Sequence, residues 1–161
     1  MTLVAAQRVF ERVKVAPLTP SIGAEISGID LADEQDDATI AEIRAALLAY
    51  KVIFFRDQFI TPEQHIVFAR RFGPLEIHPA TPKEQSNPEV LHIAHGPESR
   101  GRENFWHSDV TWRAEPSLGS ILRAIEVPEV GGDTLFADMA AAFRGLSPAI
   151  VTRSIRRTAG K

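Results

Sequence analysis

His107 and Asp109 stand two residues apart in Phe105-Trp106-His107-Ser108-Asp109-Val110-Thr111-Trp112, among aromatic and β-branched residues. In an extended segment, residues i and i+2 point to the same side. An imidazole nitrogen and a carboxylate oxygen can therefore face one point. Those donors are two-thirds of the facial triad that holds non-haem Fe(II) and leaves positions open for substrate and O2. The same spacing has a plainer reading, an N-cap aspartate beside a surface histidine. A different donor set is also conceivable: His92 and His95 could join His107 and Asp109 to clamp zinc for hydrolysis. All five histidines (His65, His78, His92, His95 and His107) lie at or before the His-x-Asp pair, and residues 110–161 contain none.

Two further stretches bear on the iron reading. Gly131-Gly132-Asp133-Thr134-Leu135-Phe136 reads as a glycine turn opening a strand, with Thr134 27 residues after His107. A threonine hydroxyl beside a metal site can donate to a carboxylate. It can equally be a β-propensity residue in an ordinary hairpin. In Arg71-Phe72-Gly73-Pro74-Leu75-Glu76-Ile77-His78-Pro79 a helix ends and a histidine follows. By itself, His78 is a loop histidine.

The 161 residues suffice for one domain with a core, and 44% hydrophobic and 24% charged content is ordinary for a globular chain. The net charge of −3 gives no electrostatic reason to expect nucleic acid or an anionic membrane as partner. With no cysteine there is no disulfide, thiolate site or thiol nucleophile. The N-terminal apolar run, Leu3 to Ala6, is too short for a signal sequence. No run approaches the roughly 18 apolar residues of a membrane span. The expectation is a cytoplasmic protein, with a homo-oligomer left open.

The elements that must position these residues follow from local pattern. Val9–Pro17 and Ile22–Ile29 read as a strand pair, with Gly23 and Gly28 as hairpin residues. Asp36 or Asp37 caps a helix to Tyr50, striped by Ile40, Ile43, Leu47 and Leu48. Val52–Phe55 is a buried strand. Thr61-Pro62-Glu63-Gln64 is a capping box with proline at the first helical position, opening a helix to about Phe72. Residues 79–103 form a long loop with one short strand, Val90–Ala94. Leu118–Val127 and Asp133–Ala137 read as strands joined by a turn at Pro128–Gly132. Asp138 caps a short helix to Leu146, and Ser147-Pro148 begins another. The last eleven residues carry Arg153, Arg156, Arg157 and Lys161 with no acid.

In this order and at this spacing, the segments resemble the taurine dioxygenase family of Fe(II)- and 2-oxoglutarate-dependent oxygenases. The matching pieces are IGAEISGIDL, VIFFRDQ, the TPEQ helix with RFGPLEIHP, WHSDVTW, and GGDTLFADMAAAF, spanning about Pro17 to Ser147. The resemblance implies an α+β fold: a double-stranded β-helix, or jelly roll, with flanking helices. It implies that His107 and Asp109 are the first two iron ligands and that Thr134 hydrogen-bonds the 2-oxoglutarate carboxylate. It implies that His78 and Val110 line the substrate pocket, His78 near a sulfonate. Thr81 stands where the family has a pocket tyrosine, and the pocket asparagine has only Glu103 and Asn104 as candidates. The implied reaction uses O2 to turn 2-oxoglutarate into succinate and CO2 while hydroxylating a small anionic substrate, a sulfonate or sulfate ester.

The family's third ligand, a downstream histidine, has no match here. Its downstream arginine, which would grip the distal carboxylate of 2-oxoglutarate bidentately, has none either. Arg153, Arg156 and Arg157 lie too close to Thr134. The expectation is that residues 1–150 are the N-terminal part of a dioxygenase domain, incomplete on the C-terminal side and truncated before the third iron ligand. Residues 151–161 would then be an atypical basic tail. The alternative is a non-catalytic remnant or interaction module that keeps the N-terminal half of the fold.

Overall fold

The computed structural model describes residues 9–78, 81–82, 85–96, 105–110 and 113–158. It is an α+β structure. The chain divides into two compact units. The first comprises Met1–Ile29, Asp36–Asp57 and Glu129–Lys161; the second comprises Asp30–Gln35 and Gln58–Pro128.

The first unit holds the sheet, in the order β1 (Lys14–Pro17), β2 (Ala24–Ser27), β3 (Ile53–Phe55). β1 runs antiparallel to β2 with Val15 opposite Ile26, and β2 runs parallel to β3 with Glu25 opposite Phe54. β1 begins at Lys14 rather than at the expected Val9. The reason is a competing acceptor: the Glu42 carboxylate takes the backbone N–H groups of Glu11 (3.0 Å), Arg12 (3.0 Å) and Val13 (3.2 Å). β2 is bounded by Gly23 and Gly28, whose φ angles of 87° and 93° suit glycine and end the extended run.

The parallel β2–β3 pair requires a crossover, and α1 (Asp37–Tyr50) supplies it. Asp36 is its N-cap, accepting from the Thr39 N–H at 2.8 Å. Lys51 ends it in the left-handed region (φ 69°), its N–H donating to the Leu47 carbonyl at 2.7 Å. The core of this unit is Val13, Ala24, Ile26, Ile40, Ile43 and Ala46, all buried. Asp138 caps α3 (Met139–Arg144), accepting from the Ala141 N–H at 2.9 Å, and Gly145 follows as its C-cap. α4 (Pro148–Thr158) starts where expected and runs through residue 151 without a break.

Three backbone N–H groups, that of Glu11 foremost, hold the Glu42 carboxyl below its ordinary value of 4.5. A depressed folded-state pKa stabilises the fold above the unfolded value and loses that contribution as pH falls through the folded one. Glu42→Gln is therefore expected to lower the melting temperature by a few degrees at neutral pH. It should also flatten the stability–pH curve below 4.5. Thermal melts of both proteins from pH 7 to pH 3 check this.

The second unit is built on α2 (Pro62–Arg70). The expected capping box is complete, with Thr61 Oγ1 accepting from Gln64 N–H and Gln64 Oε1 accepting from Thr61 N–H at 2.8 Å. The helix stops at Arg70, two residues before the expected Phe72. The N–H groups of Arg71 and Phe72 bond back only three residues, to the Phe68 and Ala69 carbonyls, which tightens and ends the last turn. Leu31, Ile60, Ile66 and Phe68 are buried, and Phe68 meets Phe72 edge to face at 5.3 Å. Gln58 accepts from the Leu31 N–H, and Gln64 donates to the Ala32 carbonyl, fastening residues 30–35 onto this helix.

Three expected strands do not form. Val90–Ala94, Leu118–Val127 and Asp133–Ala137 carry no strand ladder. Leu118, Leu122, Ile125, Val127 and Leu135 are exposed. Apolar and β-branched residues favour a strand only when a neighbour pairs its backbone and covers one face. Among the described residues, none does so for these stretches.

Candidate functional site

His107 and Asp109 belong to the second unit, and their side chains converge: His107 Nε2 lies 3.6 Å from Asp109 Oδ1. The route differs from the expected one. Residues 105–110 join no strand ladder, and Asp109 and Val110 form a turn. Val110 has φ 48°, a left-handed conformation that costs a β-branched residue about 1–3 kcal/mol. The turn at Asp109 and Val110 directly follows the His107–Asp109 pair.

The His107 ring is held from its other side. Nδ1 lies 3.0 Å from the Phe105 carbonyl, and the ring packs against that of Phe105 at 5.4 Å. A carbonyl oxygen only accepts, so Nδ1 carries a hydrogen and donates to it, which orients the ring. Nε2 is the ring nitrogen that faces Asp109. Two donors each ~2.1 Å from a shared ion can sit up to about 4.2 Å apart, so this separation suits joint ligation. Both side chains are accessible, at 48% and 71% exposure.

Among the described residues, no third His, Cys, Asp or Glu joins the pair. His92 and His95 are exposed and assemble no such group with His107 and Asp109. His65 is committed elsewhere, its Nε2 3.1 Å from the Ile121 carbonyl, with burial holding its pKa below 6.5.

His78 and Val110 also lie in the second unit, His78 exposed and Val110 half-buried. The Thr81 N–H donates to the His78 carbonyl at 2.8 Å. Thr81 is buried, yet among the described residues its Oγ1 has no hydrogen-bond partner. An unpaired buried hydroxyl costs roughly 1–3 kcal/mol, a deficit that a ligand oxygen would remove. Thr81→Val is expected to leave the unliganded chain as stable or to stabilise it by about 1 kcal/mol. Urea unfolding of the two proteins tests this, and a clear destabilisation would mean that the hydroxyl has a protein partner.

Thr134 belongs to the first unit and is exposed. It follows Gly131 and Gly132, both at positive φ, and Phe136 two residues on meets Phe54 of β3 edge to face at 6.0 Å. Glu103 and Asn104 lie outside the described residues.

One participant carried no local signal. Glu76 accepts from Ser117 Oγ at 2.9 Å through one carboxylate oxygen and pairs with the Arg113 guanidinium through the other. Its partners are 37 and 41 residues away in sequence, beyond any pattern of adjacent residues.

Residues 14–157 match the model of the family described as taurine catabolism dioxygenase TauD, TfdA family. The chain is 38% identical over 149 residues to the (S)-phenoxypropionate/alpha-ketoglutarate-dioxygenase of Sphingobium herbicidovorans, which covers 86% of this chain and 50% of that protein. It is 39% identical over 133 residues to the alpha-ketoglutarate-dependent sulfate ester dioxygenase of Pseudomonas putida, covering 82% of this chain and 44% of that one. The crystal structure of a taurine dioxygenase from Burkholderia xenovorans superposes with a TM-score of 0.77 at 40% identity, over 88% of this chain and 50% of that one. The chain spans about half the length of the curated relatives it matches.

Proposed function

This chain belongs to the TauD, TfdA family of dioxygenases, and from that premise we propose that it carries two iron ligands of an Fe(II)- and 2-oxoglutarate-dependent dioxygenase. Its substrate class is the small anion with a sulfonate or sulfate ester group, the sulfate ester being what the Pseudomonas putida relative is named for and the sulfonate what a Saccharomyces cerevisiae relative is named for. The fold to which it contributes is the jelly roll with flanking helices. Residues 1–150 are the N-terminal part of that domain, and 151–161 are a basic extension.

In this reading His107 Nε2 and Asp109 Oδ1 hold the metal. Thr134 donates its hydroxyl to the 2-oxoglutarate carboxylate. His78 and Val110 line the substrate pocket, with the Thr81 hydroxyl available to an anionic oxygen. When bound, iron with 2-oxoglutarate and O2 supplies the oxidising power to hydroxylate a substrate C–H bond, releasing succinate and CO2. The residues of this chain orient. The Phe105 carbonyl orients the His107 ring, and the accessible donors leave room for co-substrate.

The carrying observation is the 3.6 Å approach of His107 Nε2 to Asp109 Oδ1 at the His-x-Asp motif. Two ligands give modest affinity, because tight sites need a fuller cage. The 161-residue chain is therefore expected to bind Fe(II) weakly and to release no succinate from 2-oxoglutarate. Anaerobic Fe(II) titration followed by succinate assay in air tests both. Efficient succinate release would show a complete catalytic site and overturn the two-ligand reading. No saturable Fe(II) binding would overturn the metal assignment itself. Among the described residues, no helix is long and apolar enough to cross a membrane.

A further inference from the structure

We propose that the side chain of Phe105 is a positioning residue for His107: its ring holds the imidazole in the rotamer that turns Nε2 towards Asp109. The inference rests on the reading of His107 and Asp109 as metal ligands.

A histidine has two torsions, χ1 and χ2, to settle before a given ring nitrogen faces a given point. Burial does little of that work here, because the His107 side chain is 48% exposed. Residues 105–110 join no strand ladder, so no neighbouring strand orders the ring. Phe105 does so twice over. Its main-chain carbonyl accepts from Nδ1 at 3.0 Å, which decides the edge of the imidazole that turns to Asp109. Its ring lies 5.4 Å from the imidazole at an interplanar angle of 54°, a tilted approach of the kind aromatic pairs favour over a face-to-face sandwich. The hydrogen bond thus sets χ2, and the ring contact opposes a swing about χ1. A contact of this kind biases a rotamer equilibrium by roughly twofold to tenfold.

The Phe105 side chain is 68% exposed, so its ring adds little to the core. Its measurable effect therefore falls on its neighbour. Trp106 is exposed to the same 68%, but among the described residues it has no ring contact with His107. A metal ion needs one imidazole orientation, and setting that orientation beforehand lowers the ordering cost of ligation.

The test uses the 161-residue chain with Co(II) as a spectroscopic probe under nitrogen. Phe105→Ala is expected to weaken Co(II) binding by roughly twofold to tenfold. Phe105→Tyr keeps the ring and should restore the affinity, and Trp106→Ala should leave it unchanged. A second readout needs no metal. Three-bond couplings from the His107 backbone 15N and carbonyl 13C to Cγ report χ1. They should move towards rotamer-averaged values in Phe105→Ala and return in Phe105→Tyr. Unchanged couplings in Phe105→Ala would overturn the proposal, and so would an equal effect of Trp106→Ala. If His107→Ala leaves Co(II) binding intact, the metal reading fails instead, and the couplings alone decide whether Phe105 positions His107.

Discussion

His107→Ala is expected to reduce Fe(II) affinity by at least about tenfold, and Asp109→Ala by a comparable factor. Each change removes one of two converging donors, and a single remaining donor holds a divalent ion barely better than solvent does. The His107 effect should exceed that of any other histidine. His65 is engaged with the Ile121 carbonyl, and among the described residues His92 and His95 assemble no metal-binding group. Competition against a calibrated chelator, with His92→Ala as the reference, measures the difference. Equal losses for His107→Ala and His92→Ala would place the ion elsewhere.

Ile43→Ala is expected to destabilise the first unit by about 3 kcal/mol, within the 2–5 kcal/mol usual for deleting a buried isoleucine to its Cβ. Ile43 is wholly buried at the centre of α1, and Ala46 and Ala24 of the same core are buried and too small to fill a void. Against a total stability of about 5–15 kcal/mol, this is a large fraction. Urea unfolding should show a markedly lower midpoint. Leu48→Ala on the same helix, at an exposed position, should shift it little. Similar midpoints for the two variants would contradict the assigned core face.

Much of the first unit was readable because its determinants are local. The Asp36 cap, the helix it opens and the Val52–Phe55 run all act within a few residues and formed where expected. The Thr61–Gln64 box did so in the second unit. The buried face of α1, however, is Thr39, Ile40, Ile43 and Ala46 rather than the expected stripe through Leu47 and Leu48, and β3 is half-buried rather than buried. The convergence of His107 and Asp109 was readable from spacing, although its mechanism was not. The sequence argues for an extended segment, whereas residues 105–110 join no strand ladder and the chain turns at Asp109 and Val110. The unreadable parts are non-local. Glu42 meets residues about thirty positions away and shortens β1. Glu76 finds Arg113 and Ser117 across a similar gap. The strands expected at 118–127 and 133–137 depend on partners that no window of adjacent residues contains. The orphaned Thr81 hydroxyl is likewise a property of burial rather than of residue order.

The mixed sheet sets an order of assembly. Six residues, 18 to 23, separate β1 from β2, and Thr19 Oγ1 already accepts from the Ser21 and Ile22 N–H groups inside that loop. Such a hairpin closes in about 1–10 μs. Twenty-five residues, 28 to 52, separate β2 from β3, so the parallel ladder must await the formation and docking of α1. On the ribosome, a nascent chain emerging only to Tyr50 would hold the hairpin with one flank of β2 still unzipped.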